Sequence, residues 1–275
     1  MSECEGSNVP SRERLARVLR GFSRVAVAVS GGVDSTVLAY QCHQVLGPAA
    51  AMYHAVSPAV PPEATERIER LAGRYGWRFE VLRANEFSDP NYLQNPVNRC
   101  FFCKMNLYEA ISRRTDAAMI SGANADDLGD YRPGLKAAES YGVRHPLIEA
   151  GLGKEAVREL AREAGLDDVA ELPASPCLSS RLVTGVPVTV ERLTLVHRVE
   201  KLLKAHLGPD RIVRCRVKAR GIEVQLDDVS LEELGRDEYL KLRVEIGDLC
   251  DGYGDVQFGP YKMGSAFLRD YSDAR

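Results

Sequence analysis

The stretch Val25-Ala-Val-Ala-Val-Ser-Gly-Gly-Val-Asp-Ser-Thr-Val-Leu-Ala39 decides how the rest of the chain is interpreted. Its first part, Val25–Val29, is an apolar run typical of a buried strand, and a helical pattern begins near Ser35. Between them, the two glycines of S-G-G-V-D-S let the backbone wrap closely around an anion, and the start of the helix offers unbonded N–H groups and a positive dipole end. The stretch therefore predicts a phosphate-binding turn, although it lacks the lysine of the G-x-x-x-x-G-K-[ST] loop.

Strand and helix patterns alternate along the first part of the chain. Further strands are expected near residues 49–55, 79–82, 118–121 and 145–147, with helical patterns between them. This alternation is typical of an α/β protein with a doubly wound parallel sheet and right-handed crossovers. The turn after the first strand would then lie at the carboxyl edge of the sheet, where ligands bind.

The pattern changes near residue 180, after a loop that contains Pro173 and Pro176. Beyond it the sequence predicts a smaller α+β unit, with helices near 190–206 and 231–250 and strands near 212–217, 222–226 and Val256. We therefore expect two domains. Residues 1–182 would carry the phosphate-binding turn, and residues 183–275 would bind substrate or join subunits.

Composition excludes several classes of protein. The 275 residues carry a formal net charge of −3, so overall charge gives no reason to expect nucleic acid as a partner. No segment of about 18 uncharged apolar residues predicts a membrane span, and the polar N-terminus does not resemble a signal peptide. We therefore expect a cytoplasmic protein. Its seven cysteines, an odd number, favour thiol chemistry or metal binding over a disulfide framework.

Two cysteine motifs stand out. Cys100 and Cys103 lie in N-R-C-F-F-C-K (98–104), which suits half of a zinc site, a redox pair, part of an iron–sulfur site or two core thiols near a helix start. Cys177 lies among prolines and hydroxyls, with Arg181 four residues on. A nearby guanidinium would lower the pKa of this thiol, although a buried loop thiol is the alternative.

A polar stretch follows the strand near 118–121. Asn124, Asp126, Asp127 and Asp130 lie there beside Arg132. Carboxylates at the carboxyl end of a strand suit Mg²⁺ and phosphate binding, and Asp34 among phosphates would also require a bridging Mg²⁺. A solvated loop before a capped helix is the alternative.

These motifs, in this order, resemble those of the LarE family, ATP-dependent sulfur transferases of the PP-loop ATP pyrophosphatase superfamily that act in nickel-pincer nucleotide synthesis. The similarity spans about residues 20–182 and covers S-G-G-V-D-S (30–35), N-R-C-F-F-C-K (98–104), G-A-N-A-D-D-L-G-D-Y-R-P-G (122–134), H-P-L-I-E-A-G-L (145–152) and S-P-C-L-S-S-R (175–181). It implies that the nucleotide, ATP with Mg²⁺ on Asp34, contacts Ser30, Gly31, Gly32, Val33, Asp34, Ser35, Asn124 and Asp127.

The resemblance also implies a reaction. A carboxylate of a small phosphorylated substrate, in the family pyridinium-3,5-biscarboxylate mononucleotide, is adenylated, and sulfur then displaces AMP to give a thiocarboxylate. In members with only the cysteine equivalent to Cys177, that residue gives up its sulfur and becomes dehydroalanine. This chain has Cys100, Cys103 and Cys177 and therefore resembles a second type of member. In that type three thiolates hold a [4Fe–4S] cluster, and sulfide or another donor supplies the sulfur. Arg181 would assist Cys177.

The family also has an R-x-R pair that receives substrate phosphate, and it maps to Arg214 and Arg216. Alternate residues of a strand point to one face, so both guanidiniums could bind one phosphate, unless this is a solvated strand face. The family run G-Y-R-x-G-S appears here as Gly259-Pro-Tyr-Lys-Met-Gly-Ser265. Lys262 in place of arginine leaves the identity of the substrate open. Family members also suggest a homo-oligomer.

Other functions remain compatible with the motifs. A PP-loop enzyme could thiolate a nucleobase, a nucleotide or a tRNA base, although the acidic net charge disfavours tRNA. Amidation with ammonia would need no thiol. A non-catalytic nucleotide or metal sensor would keep the turn but would not need Cys177 beside Arg181.

Overall fold

The computed structural model describes residues 9–129, 133–173, 176–250 and 252–267. The strands in these ranges are β1 (Val25–Ala28), β2 (Ala50–Ala55), β3 (Arg78–Leu82), β4 (Ala118–Ser121), β5 (Val213–Val217), β6 (Ile222–Leu226) and β7 (Val256–Pro260). The helices are α1 (Ser11–Leu19), α2 (Val33–Leu46), α3 (Pro62–Tyr75), α4 (Pro90–Leu93), α5 (Arg99–Ser112), α6 (Pro133–Ser140), α7 (Pro146–Glu149), α8 (Lys154–Glu163), α9 (Asp167–Ala170), α10 (Val190–Leu207), α11 (Asp228–Glu233) and α12 (Arg236–Leu249).

The chain folds as two compact units whose segments interleave along the sequence. The described parts of residues 1–57, 62–85 and 100–175 form the first unit, and those of 58–61, 86–99 and 176–275 form the second. This grouping differs from the expected division after residue 182, because two short early segments bond to the second unit. The Ala59 carbonyl accepts from Leu178 N at 2.9 Å, and the Tyr92 hydroxyl lies 2.7 Å from Ser179 Oγ.

The first unit contains a four-stranded parallel sheet in the order β3-β2-β1-β4. Val27 of β1 pairs with Met52 of β2 and with Ile120 of β4, so β1 lies inside the sheet. All four residues of β1 are buried, and alternate residues lie on opposite faces of the sheet. Val25 and Val27 belong to one apolar cluster with residues of α1, α2 and α8, and Ala26 and Ala28 belong to another with residues of α5 and α6. Helices therefore cover both faces, and the predicted doubly wound α/β class is confirmed.

The prediction of a strand near residues 145–147 is wrong. Arg144 makes only an isolated parallel bridge with Ile120, and α7 begins at Pro146. Proline lacks an N–H and its fixed φ suits the first turn of a helix, so the chain turns into a helix at this point.

The second unit contains a three-stranded sheet in the order β5-β6-β7, antiparallel between β5 and β6 and parallel between β6 and β7. The long helix α10 packs against β5 and α12. The single helix expected over 231–250 is two helices, because α11 ends before Leu234 and Gly235 is the N-cap residue of α12. None of the helices in the described ranges is long and apolar enough to cross a membrane.

Candidate functional site

The Ser30–Ser35 turn joins the carboxyl end of β1 to α2, as the sequence predicts. Ser35 Oγ accepts from Ser30 N at 3.1 Å, lies 3.0 Å from Ser30 Oγ and donates to the Gly32 carbonyl at 3.3 Å. The N-cap residue of α2 is Gly32, which has no side chain to cap the first turn. The N–H groups at its start are therefore available to an anion, which the positive end of the helix dipole would also attract.

Two glycines let other elements approach this turn closely. Gly31 has φ +85°, and a Cβ there would lie 2.9 Å from the carbonyl oxygen of Ala64 in α3. Gly122 follows β4, and a Cβ there would lie 2.7 Å from Ser35 N. Such distances exclude any larger residue without backbone movement, so α3 and the end of β4 hold the turn in one conformation.

Asp34 lies in the first turn of α2, near the polar loop after β4. Burial raises the pKa of the Asp34 carboxyl, the Asn124 amide lowers it, and the charge of Asp127 raises it again. Asn124 is fully buried, and although its amide is near enough to affect this pKa, its Nδ2 has no described partner at hydrogen-bonding distance. Two nearby carboxylates and an unsatisfied amide donor suit a bound cation with its phosphate, so these residues fit Mg²⁺ and a nucleotide.

The other acidic residues of this loop are placed differently. Asp126 Oδ2 accepts from Lys154 N at 2.8 Å, so Asp126 caps the start of α8. Asp127 accepts from Asn124 N at 3.2 Å and remains beside Asp34. Asp130 and Arg132 lie outside the described residues. Of the predicted acidic set, the structure therefore brings Asp127 to Asp34 and gives Asp126 a capping role.

Two histidines at the same edge of the sheet were missed by the sequence analysis. His54 is buried, with Nδ1 2.8 Å from the Val29 carbonyl and Nε2 2.9 Å from Thr65 Oγ1, so its ring holds the end of β1 to α3. His145 Nδ1 lies 2.9 Å from Ser121 Oγ, and burial lowers the pKa of this histidine. His54 lies near the end of the apolar run of β2, and His145 begins the motif H-P-L-I-E-A-G-L (145–152); these were the available signals.

Cys100 and Cys103 lie in the first turn of α5, and both are half-buried. Their three-residue spacing puts them on one side of the helix. Cys177 lies in the second unit. Among the described residues, no three Cys, His, Asp or Glu side chains form a group that could hold a metal ion. The described structure therefore offers a pair of thiols and a separate single thiol, and no preformed three-ligand cluster site.

Cys177 precedes a 3-10 turn, Leu178–Arg181, that Arg181 stabilises. Nη1 of Arg181 donates to the carbonyls of Pro176 at 2.6 Å and Cys177 at 3.3 Å. Its Nε and Nη2 donate to the two carboxylate oxygens of Glu200 at 2.9 and 3.0 Å. Burial lowers the pKa of Arg181, but the charge and hydrogen bond of Glu200 outweigh this effect and raise it. Arg181 therefore positions the backbone at Cys177, and its charge is matched by Glu200.

Glu200 was also missed by the sequence analysis. It lies on α10, is 8% exposed, and accepts from Cys215 N at 3.0 Å as well as from Arg181. Its signal is a carboxylate beside the buried positions Val196, Val199 and Leu203 of an amphipathic helix, since carboxylates are rarely buried without a partner.

Arg214 and Arg216 lie on β5, whose residues are all buried, so the alternative of a solvated strand face is wrong. Arg216 donates to Gln225 Oε1 at 3.1 Å and to the Ser180 carbonyl at 2.9 Å. The Arg214 guanidinium lies 5.6 Å from the centre of the Tyr261 ring. Burial lowers the pKa of both arginines, and the charge of Arg181 lowers it further. We call Arg181, Arg214 and Arg216 the arginine group.

The arginine group concentrates positive charge where burial disfavours it. Because Arg181 lowers the pKa of Arg214 and of Arg216, and Arg214 lowers that of Arg216 as well, a bound anion would relieve repulsion within the group. Arginine forks match phosphate and carboxylate oxygens in geometry. The group is therefore suited to bind an anionic part of a ligand.

The remaining described cysteines are placed as core residues. Burial raises the pKa of Cys42, of Cys215 and of Cys250, the last to about 11. Thiols with raised pKa values are poor nucleophiles at neutral pH. The reactive candidates therefore stay Cys100, Cys103 and Cys177.

Comparison with known proteins gives the chain its relatives, although no family model matches it. It is 39% identical over 250 residues to an uncharacterized protein of Synechocystis sp., covering 90% of each chain. It is 32% identical over 196 residues to pyridinium-3,5-bisthiocarboxylic acid mononucleotide synthase of Lactiplantibacillus plantarum, covering 70% of this chain and 71% of that one. It is also 24% identical over 169 residues to a probable tRNA sulfurtransferase of Methanothermobacter thermautotrophicus, covering 56% of this chain and 43% of that one.

The similarity to the Synechocystis protein extends over most of the chain, but the name of that protein gives no activity. The name of the Lactiplantibacillus protein does give an activity, and the similarity, at 32% identity, extends over 71% of its length. That similarity, with the S-G-G-V-D-S turn between β1 and α2, confirms the resemblance drawn from the motifs: the chain belongs to the LarE family of the PP-loop ATP pyrophosphatase superfamily.

Proposed function

We propose that the protein is an ATP-dependent sulfur transferase that converts a carboxylate of a small phosphorylated substrate into a thiocarboxylate. The observation that carries the proposal is the Ser30–Ser35 turn, whose open N–H groups and close packing against Gly122 suit the pyrophosphate part of ATP. The relative named pyridinium-3,5-bisthiocarboxylic acid mononucleotide synthase supports a pyridinium carboxylate mononucleotide as the substrate. The LarE resemblance implies that this substrate is pyridinium-3,5-biscarboxylate mononucleotide and that the pathway is nickel-pincer nucleotide synthesis.

The first step is adenylation. A carboxylate oxygen of the substrate attacks the α-phosphorus of ATP, the bond to the β-phosphate oxygen breaks, and pyrophosphate leaves. The N–H groups of the turn and the hydroxyls of Ser30 and Ser35 would bind the leaving pyrophosphate. Asp34 would hold Mg²⁺, which when bound neutralises phosphate charge, and the buried Asn124 amide would donate to a phosphate oxygen.

The arginine group supports the substrate part of the proposal. Arg214 and Arg216 would bind the phosphate of the mononucleotide, because their pKa values are lowered by burial and by neighbouring positive charge. Arg181 would act on the reaction through position alone, by holding the carbonyls of Pro176 and Cys177.

The second step transfers sulfur. A sulfur nucleophile attacks the acyl carbon, and the bond between that carbon and the AMP oxygen breaks. If Cys177 is the nucleophile, loss of its Cα proton then breaks the Cβ–Sγ bond, so the thiocarboxylate keeps the sulfur and Cys177 becomes dehydroalanine.

The presence of Cys100 and Cys103 supports the finer proposal that these two thiolates and Cys177 hold a [4Fe–4S] cluster with one iron open to sulfide or another sulfur donor. The described residues contain no preformed three-ligand group, so we derive no reaction step through a cluster. Anaerobically purified protein should contain about four irons per chain, and Cys100→Ala should lose them. Cys42→Ala, which changes a buried thiol outside this set, should keep the iron.

Mass after reaction separates the two sulfur sources. Iron-free protein that loses about 34 Da after one turnover would contradict the cluster and support Cys177 as the sulfur donor. Iron-containing protein that turns over repeatedly at constant mass would contradict the sacrificial route.

The proposal as a whole is tested by pyrophosphate release. Full-length protein with ATP and Mg²⁺ should release pyrophosphate when pyridinium-3,5-biscarboxylate mononucleotide is added. Release only with a nucleobase or tRNA would favour the tRNA-sulfurtransferase type of chemistry named in one relative. Binding of ATP without release for any acid would favour a sensor. We also propose a homo-oligomer, which light scattering of the purified protein would measure.

A further inference from the structure

Arg67 of α3 places a guanidinium against the phosphate-binding turn. Its Nη1 donates to the Gly31 carbonyl at 2.8 Å. The same helix contacts Gly31 one turn earlier, where a Cβ on residue 31 would lie 3.0 Å from the Ala64 Cβ. The position of Arg67 is therefore fixed relative to the turn by two contacts.

No carboxylate of the described residues lies within ion-pairing distance of the Arg67 guanidinium, although Asp168 and Glu63 are close enough to act on its charge. Within the described ranges Arg67 forms no ion pair and donates no hydrogen bond other than that to Gly31. Its neighbour Arg70, one turn along the helix surface, pairs with Asp168 at 3.4 Å. Burial lowers the pKa of Arg67, and the charge of Arg70 lowers it further. The charges of Asp168 and Glu63 oppose the shift without cancelling it.

A half-buried guanidinium with no carboxylate at ion-pairing distance is costly, and an anion in the adjacent turn would reduce that cost. The Gly31 carbonyl occupies one N–H of the guanidinium fork. Nε and Nη2 remain to donate to oxygens of a phosphate, in the planar geometry that arginine offers.

We propose that Arg67 is a binding residue for the β- and γ-phosphates of ATP, and that it supplies the positive side chain that the Ser30–Ser35 turn lacks. The inference rests on the proposed function, because it requires that the turn binds a nucleotide. It assigns to α3 a role in pyrophosphate binding that neither the S-G-G-V-D-S motif nor the other predicted site residues include.

Calorimetric titration with inorganic pyrophosphate, ATP and AMP, each with Mg²⁺, tests the assignment on full-length protein. Arg67→Gln keeps a donor for Gly31 but removes the charge, and should weaken pyrophosphate and ATP binding roughly 10- to 100-fold, as expected for loss of a charge-assisted hydrogen bond. Arg67→Lys keeps the charge and should bind pyrophosphate clearly more tightly than Arg67→Gln. AMP, which lacks the β- and γ-phosphates, should bind all three proteins alike.

Arg70→Gln is the matched control, since it removes the same charge from the same helix at an ion-paired and exposed position. It should bind pyrophosphate as the unaltered protein does. Equal pyrophosphate affinity in Arg67→Gln and unaltered protein would overturn the inference. Equal weakening by Arg67→Gln and Arg67→Lys would overturn it as well, because the contact with Gly31 would then explain the effect. Equal weakening by Arg67→Gln and Arg70→Gln would also overturn it, because overall charge would then explain the effect.

Two further outcomes stay distinguishable. If circular dichroism shows that Arg67→Gln does not fold, Arg67→Lys decides alone. It keeps the charge but loses the planar fork, so its affinity for pyrophosphate should fall while its affinity for AMP stays the same. An unchanged affinity for pyrophosphate, or an equal fall for AMP, would overturn the inference. Unaltered protein that binds neither ATP nor pyrophosphate would refute the proposed function itself, whereas binding that is insensitive to Arg67 refutes only the role of Arg67.

Discussion

The Ser30–Ser35 turn and the arginine group both suit anions, but they do so with different parts of the polypeptide. The turn uses backbone N–H groups and a helix dipole, and its conformation depends on Gly31 and Gly122, which other backbone atoms approach closely. The arginine group uses buried side chains, whose charge requires Glu200. A backbone site leaves a strict local sequence pattern, whereas a side-chain site depends on partners that are distant in sequence.

The comparison also distinguishes what each region contributes to stability. The turn contains one half-buried carboxylate, Asp34, whose pKa is raised by burial. The arginine group contains a nearly buried ion pair between Arg181 and Glu200. Changes in the second region should therefore affect folding most, and changes in the first should affect chemistry most.

The largest expected effect follows from breaking the ion pair of the arginine group. Arg181→Gln leaves Glu200 buried without its bidentate partner, and should lower the free energy of unfolding by about 3–5 kcal/mol in urea titrations followed by circular dichroism. The control is Arg24→Gln, whose ion pair with Asp116 is also 2.9 Å long but has side chains 57% and 83% exposed, against 3% and 10% for Arg181 and Glu200. It should cost less than about 1 kcal/mol. Similar losses in both variants would contradict the dependence on a buried counter-charge.

The next effect is on the chemistry of the turn. Asp34→Asn removes the carboxylate proposed to hold Mg²⁺, and should lower the rate of ATP-dependent pyrophosphate release at least about 100-fold while the protein remains folded. Asp116→Asn changes an exposed carboxylate just before the other end of β4 and should keep the rate. An unchanged rate in Asp34→Asn would contradict the nucleotide site.

A smaller effect separates the two ligands. Arg214→Gln and Arg216→Gln should each weaken binding of the phosphorylated carboxylate substrate by roughly 10- to 100-fold, because a charge-assisted hydrogen bond to phosphate is lost. Titration calorimetry should show ATP affinity unchanged. Lys218→Gln, just after β5 and paired with Glu223 at 2.8 Å, is the control for charge alone. Loss of ATP affinity in the arginine variants would contradict the proposal that Arg214 and Arg216 bind the substrate.

The smallest expected effect concerns the stability of the turn. Because burial raises the pKa of Asp34, the folded protein binds this proton more tightly than the unfolded chain does. The ionised carboxylate therefore destabilises the fold above its unfolded pKa, and this cost disappears as pH falls below that value. In the absence of nucleotide, Asp34→Asn should raise the melting temperature at neutral pH and not at acidic pH. A lower melting temperature at neutral pH would contradict the assigned cause of the shift.

The part of the site that the sequence predicts is the part with local constraints. Gly31 is required by its positive φ and by Ala64, so the S-G-G-V-D-S motif could be recognised without a structure. The alternation of Arg214 and Arg216 on one strand was likewise local. The burial of these two arginines could not be predicted locally, because it depends on the packing of α10 and on residues such as Gln225.

The parts that sequence reasoning missed depend on contacts between distant residues. Glu200 lies 19 residues from Arg181, and Arg67 lies 36 residues from Gly31. Arg67 is on the polar side of an amphipathic helix, where charged residues are ordinary, so nothing in its neighbourhood marks it. The segments 58–61 and 86–99 are rich in proline or asparagine, which predicts loops but does not assign them to the second unit.

The interleaving of the two units has a consequence for synthesis on the ribosome. Tyr92 is made 87 residues before Ser179, its partner in the second unit. At typical rates of translation, this interval is on the order of 10 s, during which an aromatic side chain that ends fully buried has no completed unit to enter. A translational pause between these residues would lengthen that exposure, so we expect slow codons in the stretch that encodes β4 and α8 to lower the yield of folded protein.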